Sequence, residues 1–341
     1  MTEPQSAALA LLAALVLEDG RRWGEAAVPE QWEDSVAVLS GDVPYHFLTR
    51  ARGYSKTTDL GGIAIAVMLA QLPAGSRLYG LAADQDQGRL LIDSIDGFRV
   101  RTPEIASALT VQANRAVATS GSTLDVLPAD DAGAWGLRPA FLIVDELAQW
   151  GTTRKPRAMW EAVTSAMPKV KGSRMVVLTS SGDPVHWSHG VLEHAYADDL
   201  WRVHEVRGAP PWASPERLEE QRRRLPISQF ARLFLNEWTA SEDRLTSVED
   251  LRACVTLDGP LPPQPGVSYV CGLDLGLKND RTVAAICHSE RVQTSEGSVV
   301  GVRVPLDRME VWQGTRRRPV QLSDVEDWLL QAHHSYRPLR V

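Results

Sequence analysis

Apolar residues fall along this chain in short runs separated by longer segments of helical spacing. Tyr45-His46-Phe47-Leu48-Thr49 is one such run, residues 77–83 another, Ala140-Phe141-Leu142-Ile143-Val144 a third and Met175-Val176-Val177-Leu178 a fourth. Runs this apolar on both alternating faces predict strands buried from both sides, as in a mainly parallel sheet. Helices are predicted between them. Residues 63–72 combine alanines with long aliphatics, 84–98 begin at the capping residue Asp84, and 159–167 lead into the fourth run. Two further strands, near 115–119 and 124–127, flank a Gly121-Ser122 turn. The apolar stretch 7–17 reads as an amphipathic or buried helix, and a helical stretch follows from Pro29-Glu30-Gln31-Trp32. The alternation predicts an α/β fold with helices on both faces of the sheet.

The pattern changes after residue 214. Residues 215–238 are charged and helical, and 240–267 carry Pro260, Pro262, Pro263 and Pro265 among acids and small residues, a linker composition. A new strand, Val270-Cys271-Gly272-Leu273-Asp274-Leu275-Gly276, then opens a second series with strands near 282–287 and 299–304 and a helix over 322–334. Leu339-Arg340-Val341 has the look of one more strand beginning. At 341 residues the chain exceeds one ordinary domain. Three parts are predicted: 1–240, with 215–240 as a helical lid; a linker, 241–267; and a small α/β domain, 268–341.

Composition narrows the function classes only slightly. A hydrophobic content of 44% and a charged content of 23% suit a water-soluble globular chain. The net charge of -7 excludes a generally basic coat, but a local stripe suffices for phosphate contacts. Arg222-Arg223-Arg224 and Arg316-Arg317-Arg318 are two short basic runs, each readable as a solvated face. Cys254, Cys271 and Cys287 show no metal-binding spacing and fit reduced thiols. The 7–17 stretch is too short to span a bilayer and has no basic leader, so neither membrane nor export is expected.

Three strand ends carry the candidate chemistry. Arg50-Ala51-Arg52-Gly53-Tyr54-Ser55-Lys56-Thr57 sits between a buried strand and a buried helix. A phosphate-binding loop needs inward backbone N–H groups, a helix amino terminus, a lysine for the outer phosphates and a hydroxyl for Mg²⁺. Lys56 and Thr57 supply the last two; Arg50 and Ser55 stand where GxxxxGK[ST] has glycine, and only Gly53 remains. The strand 140–144 delivers Asp145 and Glu146, an acid for Mg²⁺ and an acid to orient or deprotonate water. Thr179-Ser180-Ser181-Gly182 ends the next strand with hydroxyls able to sense a γ-phosphate.

Taken in order, Arg50-x-Arg52-Gly53-x-Ser55-Lys56-Thr57, Leu142-Ile143-Val144-Asp145-Glu146 and Thr179-Ser180-Ser181 resemble tailed-phage large terminase subunits from about Gln31 to the C-terminus. The resemblance implies an ATP- and Mg²⁺-dependent motor that drives double-stranded DNA into a procapsid. A portal protein, a small terminase subunit and other copies in a ring would be its partners, and the host cytoplasm its compartment. It implies an adenine-contacting glutamine, matched by Gln31, and a loop arginine, best matched by Arg52. It also implies a subunit-bridging arginine before the acidic strand, for which Arg138 is the candidate. Loss of the γ-phosphate is expected to act through Thr179 and Arg52 on residues 215–238.

Asp274, within the first strand of the later series, resembles the opening acid of the RNase H-like nuclease that follows the motor in such subunits. Asp280 either assists it or caps the turn, and Asp307 and Glu310 read as surface charges. Two-metal cleavage needs several carboxylates around the metal pair. The nuclease site is therefore expected to be incomplete in this polypeptide. Two other readings stand beside the motor: a helicase- or repair-type ATPase, and a non-catalytic assembly protein on a decayed ATPase fold.

Overall fold

A computed structural model describes residues 2–129, 136–240, 252–257, 259–276, 281–293, 299–315, 318–337 and 339–340. The chain divides into two compact units, Met1–Leu245 and Thr246–Val341, the boundary falling within the proline-rich stretch.

The first unit opens with α1 (Glu3–Ala14), α2 (Trp23–Ala26) and α3 (Pro29–Ser40), then β1 (Tyr45–Thr49) and α4 (Lys56–Ala66). β2 (Arg77–Ala82), α5 (Gln85–Arg101), α6 (Pro103–Ala106), β3 (Leu109–Gln112), β4 (Arg115–Ala118) and β5 (Thr123–Pro128) follow. Next come β6 (Phe141–Asp145), α7 (Arg154–Ala166), β7 (Arg174–Thr179), α8 (Trp187–Ala197), β8 (Trp201–Glu205), α9 (Pro215–Arg224) and α10 (Ile227–Phe230). The eight strands form one sheet in the order β3-β4-β5-β2-β6-β7-β1-β8. From β5 to β8 every pairing is parallel, and near one edge only β4 runs against the rest, antiparallel to both β5 and β3.

Parallel strands need helical crossovers, which cover both faces and leave the central strands no wet side. The interiors of β6 and β7 are accordingly apolar; Phe141, Leu142, Ile143 and Val144 are all fully buried. One face packs α1, α4 and α5 through Leu12, Leu60, Ile63, Ile95 and Phe98, and the other packs α7 and α8 through Met159, Val163 and Leu192. Gly62 lets α1 lie close on α4, since a Cβ there would come within 2.6 Å of Leu12 Cδ1. Asp84 caps α5 by accepting from Gln87 N at 2.8 Å.

Several expected boundaries move. The helix expected over 63–72 starts at Lys56 and ends in a π-helical turn, Val67–Gln71, so Lys56 and Thr57 lie in its first turn. Residues 183–214, which show no clear period, hold α8 and the edge strand β8. β3 also lies outside the predicted strands.

The second unit contains β9 (Tyr269–Asp274), β10 (Arg281–His288), β11 (Glu290–Gln293), β12 (Val299–Arg303), β13 (Leu306–Gln313), α11 (Leu322–Ser335) and β14 (Leu339–Arg340). Its main sheet has the order β13-β10-β9-β14, with β10 antiparallel to both β9 and β13 and β14 parallel to β9. α11 covers one face, where Trp328, Ala332 and Tyr336 pack on Tyr269, Cys271, Ala284 and Ile286. Among the described residues no helix is long and apolar enough to cross a membrane.

Candidate functional site

β1, β6 and β7 are neighbours in the sheet and parallel, so their carboxyl ends open on the same edge, the usual ligand-binding edge of an open α/β sheet. β1 runs directly into the phosphate-type loop. Gly53 (φ 88°) and Ser55 (φ 51°) both take left-handed backbone, and Ser55 pays for this as a residue with a Cβ. The turn delivers Lys56 to the first position of α4. Its Nζ donates to the carbonyls of Arg50 at 3.1 Å and Ala51 at 3.0 Å and lies 3.0 Å from Glu146 Oε1.

The acids arrive from β6. Asp145 is buried, and its Oδ2 accepts from Thr57 Oγ1 at 3.1 Å. Its Oδ1 has no hydrogen-bond partner among the described residues. Burial, with the neighbouring charge of Glu146, pushes the Asp145 carboxyl up to about 7, against the opposing pull of Thr57 and Lys56. A hydroxyl and a carboxylate with a spare buried oxygen are the hard donors Mg²⁺ prefers, with waters and phosphates completing its shell. The residues therefore fit that ion.

Glu146 (φ 49°) also adopts left-handed backbone, which turns its side chain across the strand ends. There it meets β7: Ser180 N donates to Oε2 at 2.8 Å, and Ser180 Oγ lies 3.2 Å from both carboxylate oxygens. Thr179 Oγ1 is 3.3 Å from Oε2 and accepts from Ala148 N at 3.1 Å. Lys56, Glu146, Thr179 and Ser180 thus form one hydrogen-bonded set and Thr57 with Asp145 a second, adjoining it along the chain at 56–57 and 145–146, all at the ends of three strands.

Beneath this group lies a feature that the sequence reading missed. Arg50, standing in a glycine's usual place, is fully buried and bridges two buried acids. Its Nε and Nη2 donate to Asp34 Oδ2 on α3, at 2.9 and 2.6 Å, and its Nη1 to Asp59 Oδ2 on α4. Burial pushes the Asp59 carboxyl up, but Arg50, Trp23 and Gln31 all favour its anion. Beyond Asp34 sits His204 of β8, its Nδ1 2.6 Å from Asp34 Oδ1. That hydrogen bond raises the His204 pKa, against partial burial.

Other expected residues fall elsewhere. Gln31 does not present a free amide: Nε2 donates to both Asp59 oxygens at 3.0 and 2.9 Å, and Oε1 accepts from Val28 N at 3.1 Å. It does line, with Trp23, Ser55, Thr57 and Thr58, a cavity of about 620 Å³ beside the loop. The Arg52 side chain is exposed, while its N–H donates to Leu233 O at 2.6 Å. Arg138 lies just before the amino end of β6, with Nη2 3.5 Å from Lys169 O. That is roughly 20 Å along the strand from Asp145, so Arg138 does not join this chain's own group.

In the second unit Asp274 is exposed at the end of β9 rather than mid-strand, opposite Val283. Asp280 lies outside the described residues. No cluster of three His, Cys, Asp or Glu side chains suited to a metal occurs among the described residues. Asp307 is not the surface charge expected: it is buried and accepts from His288 Nδ1 at 2.8 Å, because β13 pairs with β10, whose last residue is His288. Glu310 is half-buried on the same strand.

No protein-family model matches this chain, and no curated protein does. Among solved structures it is similar to the large terminase of bacteriophage HK97, at 17% identity over 99% of this chain and 79% of that one, with a TM-score of 0.61. The large terminase of a thermophilic bacteriophage is similar at 13% identity, over 99% of this chain and 76% of that one, with a TM-score of 0.50. The chain has the fold of phage large terminases.

The buried charges can be tested in two ways. Replacing Arg50 by Met leaves two carboxylates facing each other without a cation and should cost about 3–5 kcal/mol, measured by urea denaturation. For His204, a folded pKa above the ordinary value of about 6.5 means its stabilisation is complete below that pH and disappears as pH rises through the folded value. The unaltered chain should therefore exceed His204→Asn by about 1 kcal/mol near pH 5.5, with the gap closing by about pH 8.5. Buried His46, pulled down to about 4, acts in the opposite sense but in both proteins, so the difference isolates His204.

Proposed function

We propose that residues 1–245 form the ATP-hydrolysing motor of a phage DNA-packaging machine. One observation carries the reading: the lysine, hydroxyl, two acids and strand-end hydroxyls required for phosphoryl transfer from ATP to water lie in two adjoining hydrogen-bonded sets on the ligand-binding edge of a terminase-type fold. ATP is the substrate, with its phosphates over the first turn of α4 and its base toward the cavity lined by Trp23 and Thr58.

Lys56 and Glu146 neutralise each other at 3.0 Å. An incoming phosphate competes for the lysine, and Glu146 is then released to align a water for in-line attack, still held by Ser180 and Thr179. Thr57 and Asp145 would hold Mg²⁺, which supplies positive charge to the phosphoryl oxygens. Arg138, at the far end of β6, would serve a neighbouring copy rather than its own site. A ring of copies around double-stranded DNA, seated on a portal and loaded by a small terminase subunit, is the assembly this reading implies. Its DNA contacts fall on phosphates, because a packaging motor must ignore sequence. The second unit, three antiparallel strands followed by a parallel one, has the strand order that opens an RNase H-like domain, with Asp274 as its first metal-binding acid.

Lys56→Ala should abolish ATP turnover while the circular dichroism spectrum is unchanged, and continued hydrolysis in that variant would reject the site. Glu146→Gln should retain ATP in equilibrium binding but slow its cleavage by about 10²-fold or more, read by phosphate release in single-turnover mixing.

A further inference from the structure

Behind the catalytic group lies a residue that the chemistry above does not use. Asn236 is 2% exposed and holds left-handed backbone at φ 56°. Asparagine tolerates that region better than other residues with a Cβ. Its amide makes four hydrogen bonds. Nδ2 donates to Thr49 Oγ1 at 2.8 Å and to the Val206 carbonyl at 2.8 Å. Oδ1 accepts from Ser181 N at 2.9 Å and from Ser181 Oγ at 3.0 Å.

Those partners sit at three strand ends. Thr49 is the last residue of β1, immediately before the phosphate loop; Ser181 directly follows Ser180, which grips Glu146; Val206 directly follows β8. Flanking bonds fasten the same segment to the same edge. Leu233 O accepts from Arg52 N at 2.6 Å, Leu235 O from Gly208 N at 2.8 Å, and Trp238 Nε1 donates to Glu205 Oε2 at 3.0 Å. Each of these touches one strand end or loop, whereas the Asn236 side chain touches all three.

We infer that Asn236 is a positioning residue: it fixes the loop after β7 against the end of β1, so that Ser180 presents Glu146 to the γ-phosphate. It is also one joint, beside the Arg232–Asp183 ion pair and the bond from Thr239 N to Gly182 O, through which movement of that loop reaches the helical segment 215–235. This rests on the ATPase reading above. A displaced Ser180 would leave nucleotide binding largely intact, because Lys56 and Thr57 are anchored separately on α4, and would act on the attack step.

Two variants test this in the full chain. Asn236→Gly keeps the left-handed backbone and deletes all four bonds. Asn236→Asp keeps the shape and the acceptor for Ser181 but sets a carboxylate oxygen against the Val206 carbonyl. Single-turnover cleavage, normalised to active sites titrated with a non-hydrolysable ATP analogue, should fall by about 10–100-fold in Asn236→Gly. The affinity for that analogue should change by less than about threefold. Asn236→Asp should show the same split and remains informative if the glycine variant is too unstable to study. Stimulation of turnover by double-stranded DNA should be lost in both. If either variant, folded and binding the analogue, cleaves ATP at the unaltered rate per active site, the inference is wrong. A loss confined to the fraction of folded protein overturns it equally. Absence of turnover in the unaltered chain, or its persistence in Lys56→Ala, would instead defeat the ATPase reading itself.

Discussion

A guanidinium enclosed by two carboxylates and shut away from solvent is the constraint on which the rest of this site depends. Arg50 stands at the junction of β1 and the phosphate loop, Asp34 on α3 and Asp59 on α4, and all three are buried. Removing three charges from water is costly, and their mutual attraction offsets that cost only in good geometry. The cluster is therefore best understood as specifying an arrangement rather than adding stability. It fixes how the loop leaves the sheet and where α4 begins, and so where Lys56 and Thr57 point.

A glycine-rich loop achieves a similar turn through backbone freedom. Here one glycine, Gly53, remains, and Ser55 accepts the left-handed conformation in place of another. Tertiary anchoring makes up the difference. The Arg50 side chain is tied beneath, Arg52 N–H is tied to Leu233, and the Gly53 carbonyl accepts from Trp212 Nε1 at 3.2 Å. Glu146 and Asn236, the other non-glycine residues with positive φ among those described, lie on the same sheet edge. Left-handed residues gathered on one edge are what a site requires when it must hold polar side chains at fixed angles, because only a well-packed surround sustains that strain.

The same edge explains how hydrolysis could be felt elsewhere. Glu146 is held by Ser180, Ser181 by Asn236, and Asn236 by the ends of β1 and β8. Interactions of this kind have few intermediate positions, because an amide with four satisfied bonds either keeps its partners or loses several at once. On the proposed ATPase reading, a change at the nucleotide would thereby be transmitted as a discrete shift rather than a graded one.

Much of the architecture was legible from the chain alone because it depends on local chemistry. The strands at 141–144 and 175–178 were readable from unbroken apolar runs, since a strand covered on both faces admits little else. Asp84 announced its helix, and Lys56-Thr57 and Asp145-Glu146 marked the candidate site that the structure brings together, because the phosphate chemistry proposed for it would demand those functional groups. What the sequence left open depended on distant partners. β8 carries Arg202, His204 and Glu205 and offers only two apolar positions, Trp201 and Val203, yet it pairs with β1. Asp307 looked like a surface charge until β13 turned it toward His288, and Gln31 looked free until Asp59 took its amide. Arg50 read as a loop residue and Asn236 as one polar residue in a charged helix. Their importance comes from groups 16 and 187 positions away in the chain, and only folding brings those groups within hydrogen-bond range.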